Sequence, residues 1–357
     1  MNRAALSLKL IIVLVLSVLT EIWFVSLACA DPLPAPPVTM IYIKADGSIE
    51  PSDAPIMKFG YVYTLTENLL SDSRYYFLII QHDNIVVDGA GYIIQSHIRY
   101  PAAIYIKNMN NVTVKNFSII TTGYGISASN SLHITCIANN ITSASDGFLL
   151  DNCSESTISQ NSFNDNYGSA IWLRFSTEIN ITKNSIAWSG GNSYSSAGIH
   201  LSNSSGCIIS GNNVTKSTFG IYLSLSSTNF IYANNFISND QPVFDEAQLA
   251  SSYPEDLSSF PFSENIWDNS TLGNYWSNYN GTDSDGDRIG DVPYIIDATN
   301  ADNFPLMSPF TNPIIPPTPT PYEEPQPIGQ ELILGIAVTI VVVLIGLGLL
   351  LYRIKRK

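Results

Sequence analysis

GIHLSNSSGCIISGNNVTKSTFGIYLSLSSTNFIYANNFI, residues Gly198 to Ile237, states the same short phrase twice. The small-then-apolar pair Gly198-Ile199 returns 22 positions later as Gly220-Ile221. Ten residues beyond each apolar member stand Ile209 and Ile231; thirteen beyond stand Asn212 and Asn234, followed two further on by Val214 and Phe236. Toward the N-terminus the pair recurs as Ala170-Ile171, Gly147-Phe148, Gly125-Ile126 and Ala103-Ile104, so the steps along the chain are 22, 22, 23, 28 and 22. The asparagine travels with it, at Asn139, Asn161 and Asn184. Extra residues around Ser189 to Ser195 stretch the step of 28.

Alternating apolar residues at this period, with Asn and Gly at turns and no helical periodicity, describe stacked coils of short strands. One coil cannot bury its apolar face alone, but coils stacked ~4.8 Å apart make a continuous core. Crossovers between parallel strands are right-handed. The expected fold is therefore all-β, a right-handed parallel β-helix with three short strands per coil. The asparagines at offset 13 are expected to form a ladder in which each amide bonds the next and satisfies turn backbone. A leucine-rich repeat would need a Leu consensus that is missing, and a propeller blade is about twice as long.

The flanks read differently. Residues 1–30 carry Arg3 and Lys9, an apolar run and Ala28-Cys29-Ala30, the pattern of a secretory signal peptide. Residues 31–75 are expected to cap the solenoid, residues 76–240 to hold its repeats and residues 241–310 to form an acidic C-terminal cap. A Pro-rich linker, 311–330, leads to an uncharged apolar stretch, 331–352, long enough to span a bilayer as one helix. The basic tail 353–357 then points to the cytoplasm and the folded domain to the outside. Nine Asn-x-Ser/Thr sequons suit that location and predict a glycoprotein.

The net charge is −14, and the acid is concentrated: Asp240 to Asp302 carries thirteen carboxylates against one cation, Arg288. That argues against nucleic acid, whose phosphates need a basic surface. Cys136, Cys153 and Cys207 are an odd number without short spacing, which supports neither a disulfide framework nor a metal knuckle.

Alternation assigns the outward side chains of the strand opened by each pair. One residue past the apolar member, the coils read Tyr105, Ser127, Leu149, Trp172, His200 and Tyr222; three past it they include Asp151 and Arg174. Tyr105, Trp172, His200 and Tyr222 are expected as exposed rings on a glycan-binding face, since flat rings stack on pyranoses. The plain alternative is a solvent-facing strand with one surface ion pair of little energetic weight. Asp151, Arg174 and His200 form the one mixed constellation with catalytic potential. Glycosidic hydrolysis needs two carboxyls roughly 5 to 10 Å apart, and no two acids are expected to stack at one offset in adjacent coils.

GTDSDGDRIGDVPY, Gly281 to Tyr294, places Asp283, Asp285, Asp287 and Asp291 at positions 1, 3, 5 and 9. Hard oxygen ligands at alternate positions suit Ca²⁺. Arg288 stands where the turn glycine of an EF-hand would be, and Tyr294 where its bidentate Glu would be, so the expected site is a lone loop without flanking helices; the alternative is an acidic Asx turn that binds no metal.

From Ile41 to Phe310 the chain resembles archaeal and bacterial surface proteins with NosD-like, carbohydrate-binding-and-sugar-hydrolase-type β-helix repeats. The resemblance is carried by YIKADGSIEPSDAPI, VYTLTENL and IIQHDNIVVDGAGYIIQS, and above all by ENIWDNSTLGNYWSNYNGTDSDGDRIGDVPYIIDATNADNFPLM. For the founding branch it implies a periplasmic accessory role in supplying copper to a multicopper enzyme. The residues argue otherwise: His82, His97, His133 and His200 are scattered, and no Met-rich segment offers soft ligands. The expected function is a membrane-anchored surface protein that binds polysaccharide or organises the cell envelope, with catalysis left open. The alternatives are a calcium-dependent polysaccharide lyase or glycoside hydrolase, and copper delivery.

Overall fold

A computed structural model describes residues 40–71, 78–96, 102–191, 196–251 and 262–311. The expected signal peptide, residues 312–330 of the linker, the membrane span and the basic tail lie outside the described residues. Among the described residues, no helix is long and apolar enough to cross a membrane.

The repeat folds as the spacing requires. Each coil contributes one strand to each of three parallel sheets, of ten, nine and nine strands. The small-apolar pairs build the first sheet: Ile104 stands beside Ile126, Ile126 beside Phe148, Phe148 beside Ile171, Ile171 beside Ile199 and Ile199 beside Ile221. All six are fully buried, and burying side chains of this size stabilises by about 1.5–3 kcal/mol each. The residue before them is small because the backbone of the next coil approaches closely there. A Cβ on Gly147 would strike the Ala170 carbonyl and stand 2.6 Å from the Phe163 ring.

Buried amides pin the turns between the second and third sheets. Asn139 Nδ2 donates to Asn161 Oδ1, Asn161 to Asn184 and Asn184 to Asn212, each at 3.0 Å, and Asn212 to Asn234 at 2.9 Å. Each Nδ2 also donates to a strand carbonyl of the preceding coil, as Asn184 does to Ile158 O at 2.9 Å. Every polar atom is thus used where water cannot reach. Cys136, Cys153 and Cys207 are free and buried. Burial pushes their thiols up, to about 12, 11 and 11, so they are packing groups rather than nucleophiles.

Both ends deviate from the repeat. The expected N-terminal cap contributes strands of its own to all three sheets: Ile41–Ile43, Val62–Leu65 and Leu69–Ser71 stack in parallel on the coil that follows. Two antiparallel strands, Ile49–Glu50 and Ile56–Phe59, close that end of the first and second sheets. At the other end Gln241–Asp245 extends the first sheet, and a 3-10 turn, Glu246–Ser251, follows it. Trp276 stacks on Phe236 on one side and on Tyr294 on the other, with ring centres 4.7 and 4.5 Å apart. With Trp267 it plugs the open core, and both indoles are buried.

Candidate functional site

The outward row of the first sheet has the expected register. Ser127 lies beside Tyr105 and Leu149, Leu149 beside Trp172, Trp172 beside His200, and His200 beside Tyr222. Trp172 and His200 stack at 5.2 Å with ring planes 12° apart, and Tyr222 meets His200 edge-on at 4.7 Å. Its exposure differs from the expectation. His200 is 6% and Tyr222 4% accessible. Phe219 and Phe244 pack against Tyr222, with ring centres at 5.6 and 5.3 Å. The physical reason is local: the last coils add aromatic residues on the outer face, so the rings cover one another. Burial lowers His200 to about 4, leaving a neutral imidazole at physiological pH, and raises Tyr222 to about 12. These two residues therefore serve packing, while Tyr105 and Trp172 keep part of their surface in solvent.

Beside the row, Arg174 grips Asp151 of the preceding coil with a two-pronged contact, Nε to Oδ1 at 3.0 Å and Nη2 to Oδ2 at 2.7 Å. Its guanidinium also stands 5.9 Å from the Trp172 ring centre. The accessible ring here is Phe175, 54% exposed and held at a left-handed turn, φ 48°. Strand alternation could not find it, because that rule ends where the strand does. The indole Nε1 of Trp172 is buried and has no hydrogen-bond partner. At the opposite end of the strand Asp146–Asp151, Asp146 accepts from Ser169 N at 2.7 Å, and burial raises its carboxyl to about 7. Asp151, Arg174 and His200 do not form one reactive centre: the first two hold each other, and the third is buried against Trp172.

A second grouping corrects the expectation that no two acids stack. Glu155 and Glu178 both stand seven residues past the apolar member of their coils, as do His133 and Gly206. The bridges Leu132 to Ser154, Ser154 to Thr177 and Thr177 to Ser205 place these four in one column. His133 Nε2 lies 3.2 Å from Glu155 Oε2, and its Nδ1 lies 2.8 Å from Asn110 Oδ1. Their side chains, with Asn180 and Ile208, line a shallow groove. The signal was in the same offset arithmetic, one turn beyond the strand.

In the acidic loop, Asp283, Asp285 and Asp287 bring carboxylate oxygens within 4.8 Å of one another. Asp291 does not join them: its Oδ2 accepts from Ser284 N at 2.9 Å and Ser284 Oγ at 2.7 Å, bracing the base of the loop. Asp283 spans the turn, accepting from Gly286 N at 2.8 Å and Arg288 N at 3.0 Å. Arg288 itself adopts φ 74°, the conformation for which glycine was expected. No other group of His, Cys, Asp and Glu among the described residues is arranged to hold a metal.

The profile of the family described as periplasmic copper-binding protein (NosD) matches residues 63–281. The chain belongs to the NosD family. A mutant DFA-IIIase from Arthrobacter chlorophenolicus A6 in complex with DFA-III is similar to this NosD-family chain over 56% of it, at 11% identity and a TM-score of 0.33. The chain spans 58% of that protein's length. The Dettilon tailspike protein is similar over 51% of this chain and 50% of its own, at 13% identity and a TM-score of 0.25. No curated protein sequence matches. Among the described residues the ligands do not fit the copper of the family's description: His82, His133 and His200 are spread over separate places, His82 Nδ1 against Asp83 O at 2.7 Å, His133 against Glu155, His200 against Trp172, while His97 lies outside the described residues. The three described cysteines are buried in the core, so imidazole and sulfur ligands do not converge among the described residues.

Proposed function

We propose that this NosD-family protein is a surface β-helix that binds polysaccharide along the outer face of its first sheet. The observation that supports it is the Asp151–Arg174 fork with the Trp172 ring beside it and exposed Phe175 next to Arg174 in the chain. Rings of this kind stack on pyranose faces, and a fixed guanidinium–carboxylate pair offers donors and acceptors to hydroxyls. Residues 331–352 anchor the chain to a membrane and residues 31–310 face outward, the disposition a display protein needs. Calcium at Asp283, Asp285 and Asp287 would tie down the C-terminal cap away from this face.

The test is a glycan-array screen of the protein with and without calcium. Binding to a defined polysaccharide that Arg174→Ala weakens supports the reading; an array blank in both conditions rejects it. New sugar ends released during the incubation would favour the lyase or hydrolase reading, and the stacked Glu155 and Glu178 would then be the carboxylates to substitute first.

A further inference from the structure

The opposite edge of the first sheet carries a second pair of exposed rings. Trp188 and Tyr167 are each 56% accessible. They occupy the turn that leads from the third sheet back to the first, on adjacent coils. Trp188 follows the strand Ser185–Ala187 and adopts φ 56°. The column it stands in, Ser143, Asp165, Trp188, Lys216 and Ser238, is left-handed throughout, with φ between 53° and 59°. Backbone bonds fix the alignment, Asp165 N donating to Ala187 O at 3.1 Å and Trp188 N to Thr215 O at 3.1 Å. A positive φ is unfavourable for a bulky side chain, and at this turn the ring points away from the core. The indole therefore gains little for the fold beyond its contact with Lys216, whose Nζ stands 4.6 Å from the ring centre.

Gly191 N donates to Tyr167 O at 2.9 Å, so the two turns lie side by side on adjacent coils. Asp165 and Lys216, both exposed, flank Trp188 on the coils before and after it.

We infer that this corner is a second saccharide subsite, taking an uncharged sugar that stacks on Trp188 and Tyr167 and shares its hydroxyls between Asp165 and Lys216. The inference rests on the polysaccharide reading above and adds a place and a ligand class. Two rings set among charged and polar turn residues suit a polyhydroxylated ring, which presents apolar faces and polar edges, better than the contiguous apolar surface of a protein partner. The net charge of −14 opposes a polyanion, and one lysine balanced by one aspartate leaves the corner itself neutral.

The experiment measures binding of the full-length protein, its Trp188→Ala, Trp188→Gly, Tyr167→Ala and Arg174→Ala variants, to neutral glucan and mannan oligosaccharides and to an oligogalacturonate. Trp188→Ala is expected to weaken binding to a neutral oligosaccharide about tenfold, the scale of about 1.4 kcal/mol. Trp188→Gly should lose as much affinity while melting no lower than wild type, because glycine suits the positive φ. Wild-type affinity in Trp188→Ala alongside a loss in Arg174→Ala overturns the corner and leaves the first face standing. Lower melting temperatures in both Trp188 variants would show a structural ring and also overturn it. Binding confined to the oligogalacturonate refutes the ligand class, and no binding by the wild type in any arm removes both sites together.

Discussion

Arg174 is held from two sides, by the Asp151 carboxylate at 2.7 Å and by the Trp172 ring. A guanidinium so restrained loses little rotamer freedom when a ligand arrives, which is why its removal should be felt in binding more than in folding. Arg174→Ala is expected to lower the melting temperature by no more than a few degrees, as for a partly exposed ion pair, while reducing polysaccharide affinity roughly tenfold in a titration by isothermal calorimetry. Equal affinity in the variant would remove Arg174 from the site. At this scale the sequence was read correctly for register and wrongly for exposure. Trp172, His200 and Tyr222 stack in the order the offsets require, because register is a property of the period. Tyr222 is buried by Phe219 and Phe244, and His200 by its neighbours Trp172 and Tyr222, contacts that the offsets of a single row do not report. Phe175 and Trp188 escaped for a related reason: both sit at left-handed turn positions, where the alternation of a strand no longer tells inside from outside.

Among the elements, the asparagine ladder was the part most legible in advance, since a buried amide at a fixed offset has one economical use. Asn184 shows what it contributes. Its Oδ1 accepts from Asn161 N at 2.9 Å and from Asn161 Nδ2 at 3.0 Å, and its Nδ2 donates to Ile158 O and Asn212 Oδ1. Asn184→Ala would strand partners in the interior, where each unsatisfied group costs about 1–3 kcal/mol. The expected loss is on the order of 3 kcal/mol in a urea melt, against a few tenths for Ser→Ala at an exposed turn such as Ser238. The C-terminal loop was legible as a cluster but not in its division of labour. Three aspartates converge and Asp291 braces them. Millimolar calcium is expected to raise the melting temperature, and Asp285→Ala to abolish that rise; an unchanged rise would take Asp285 out of the ligand set.

For the molecule as a whole, acid should stabilise before it destroys. Burial raises Asp146 to about 7 and Asp302 to about 6. A carboxyl raised on folding binds its proton more tightly in the native state, so its stabilisation is present at low pH and is lost as pH rises from about 4 to the folded value. His200, lowered to about 4 by burial, works the other way: its contribution is present above about 6.5 and disappears as pH falls toward 4. Two carboxyls against one imidazole leave a net fall in stability from about pH 4 to 7, worth on the order of a few kcal/mol at about 1.4 kcal/mol per pH unit and proton. Asp46, Asp88 and Asp291, held low by hydrogen bonds, set the opposite limb below about pH 4. Melting temperatures should therefore peak near pH 4–5. Asp146→Asn should flatten the decline toward neutrality and His200→Phe should steepen it; a profile unaltered by either variant would refute the assignment. The ladder has an implication for length. Donation runs one way, from Asn139 through Asn234 to Asn274, and ends on Asp302, an acceptor that receives Asn274 N at 2.7 Å. A coil duplicated in the middle would hand on the amide chain as it received it and leave both termini untouched. Genetic recombination could thus lengthen or shorten this shaft in whole coils, setting how far the outer face of its first sheet extends without redesigning either end.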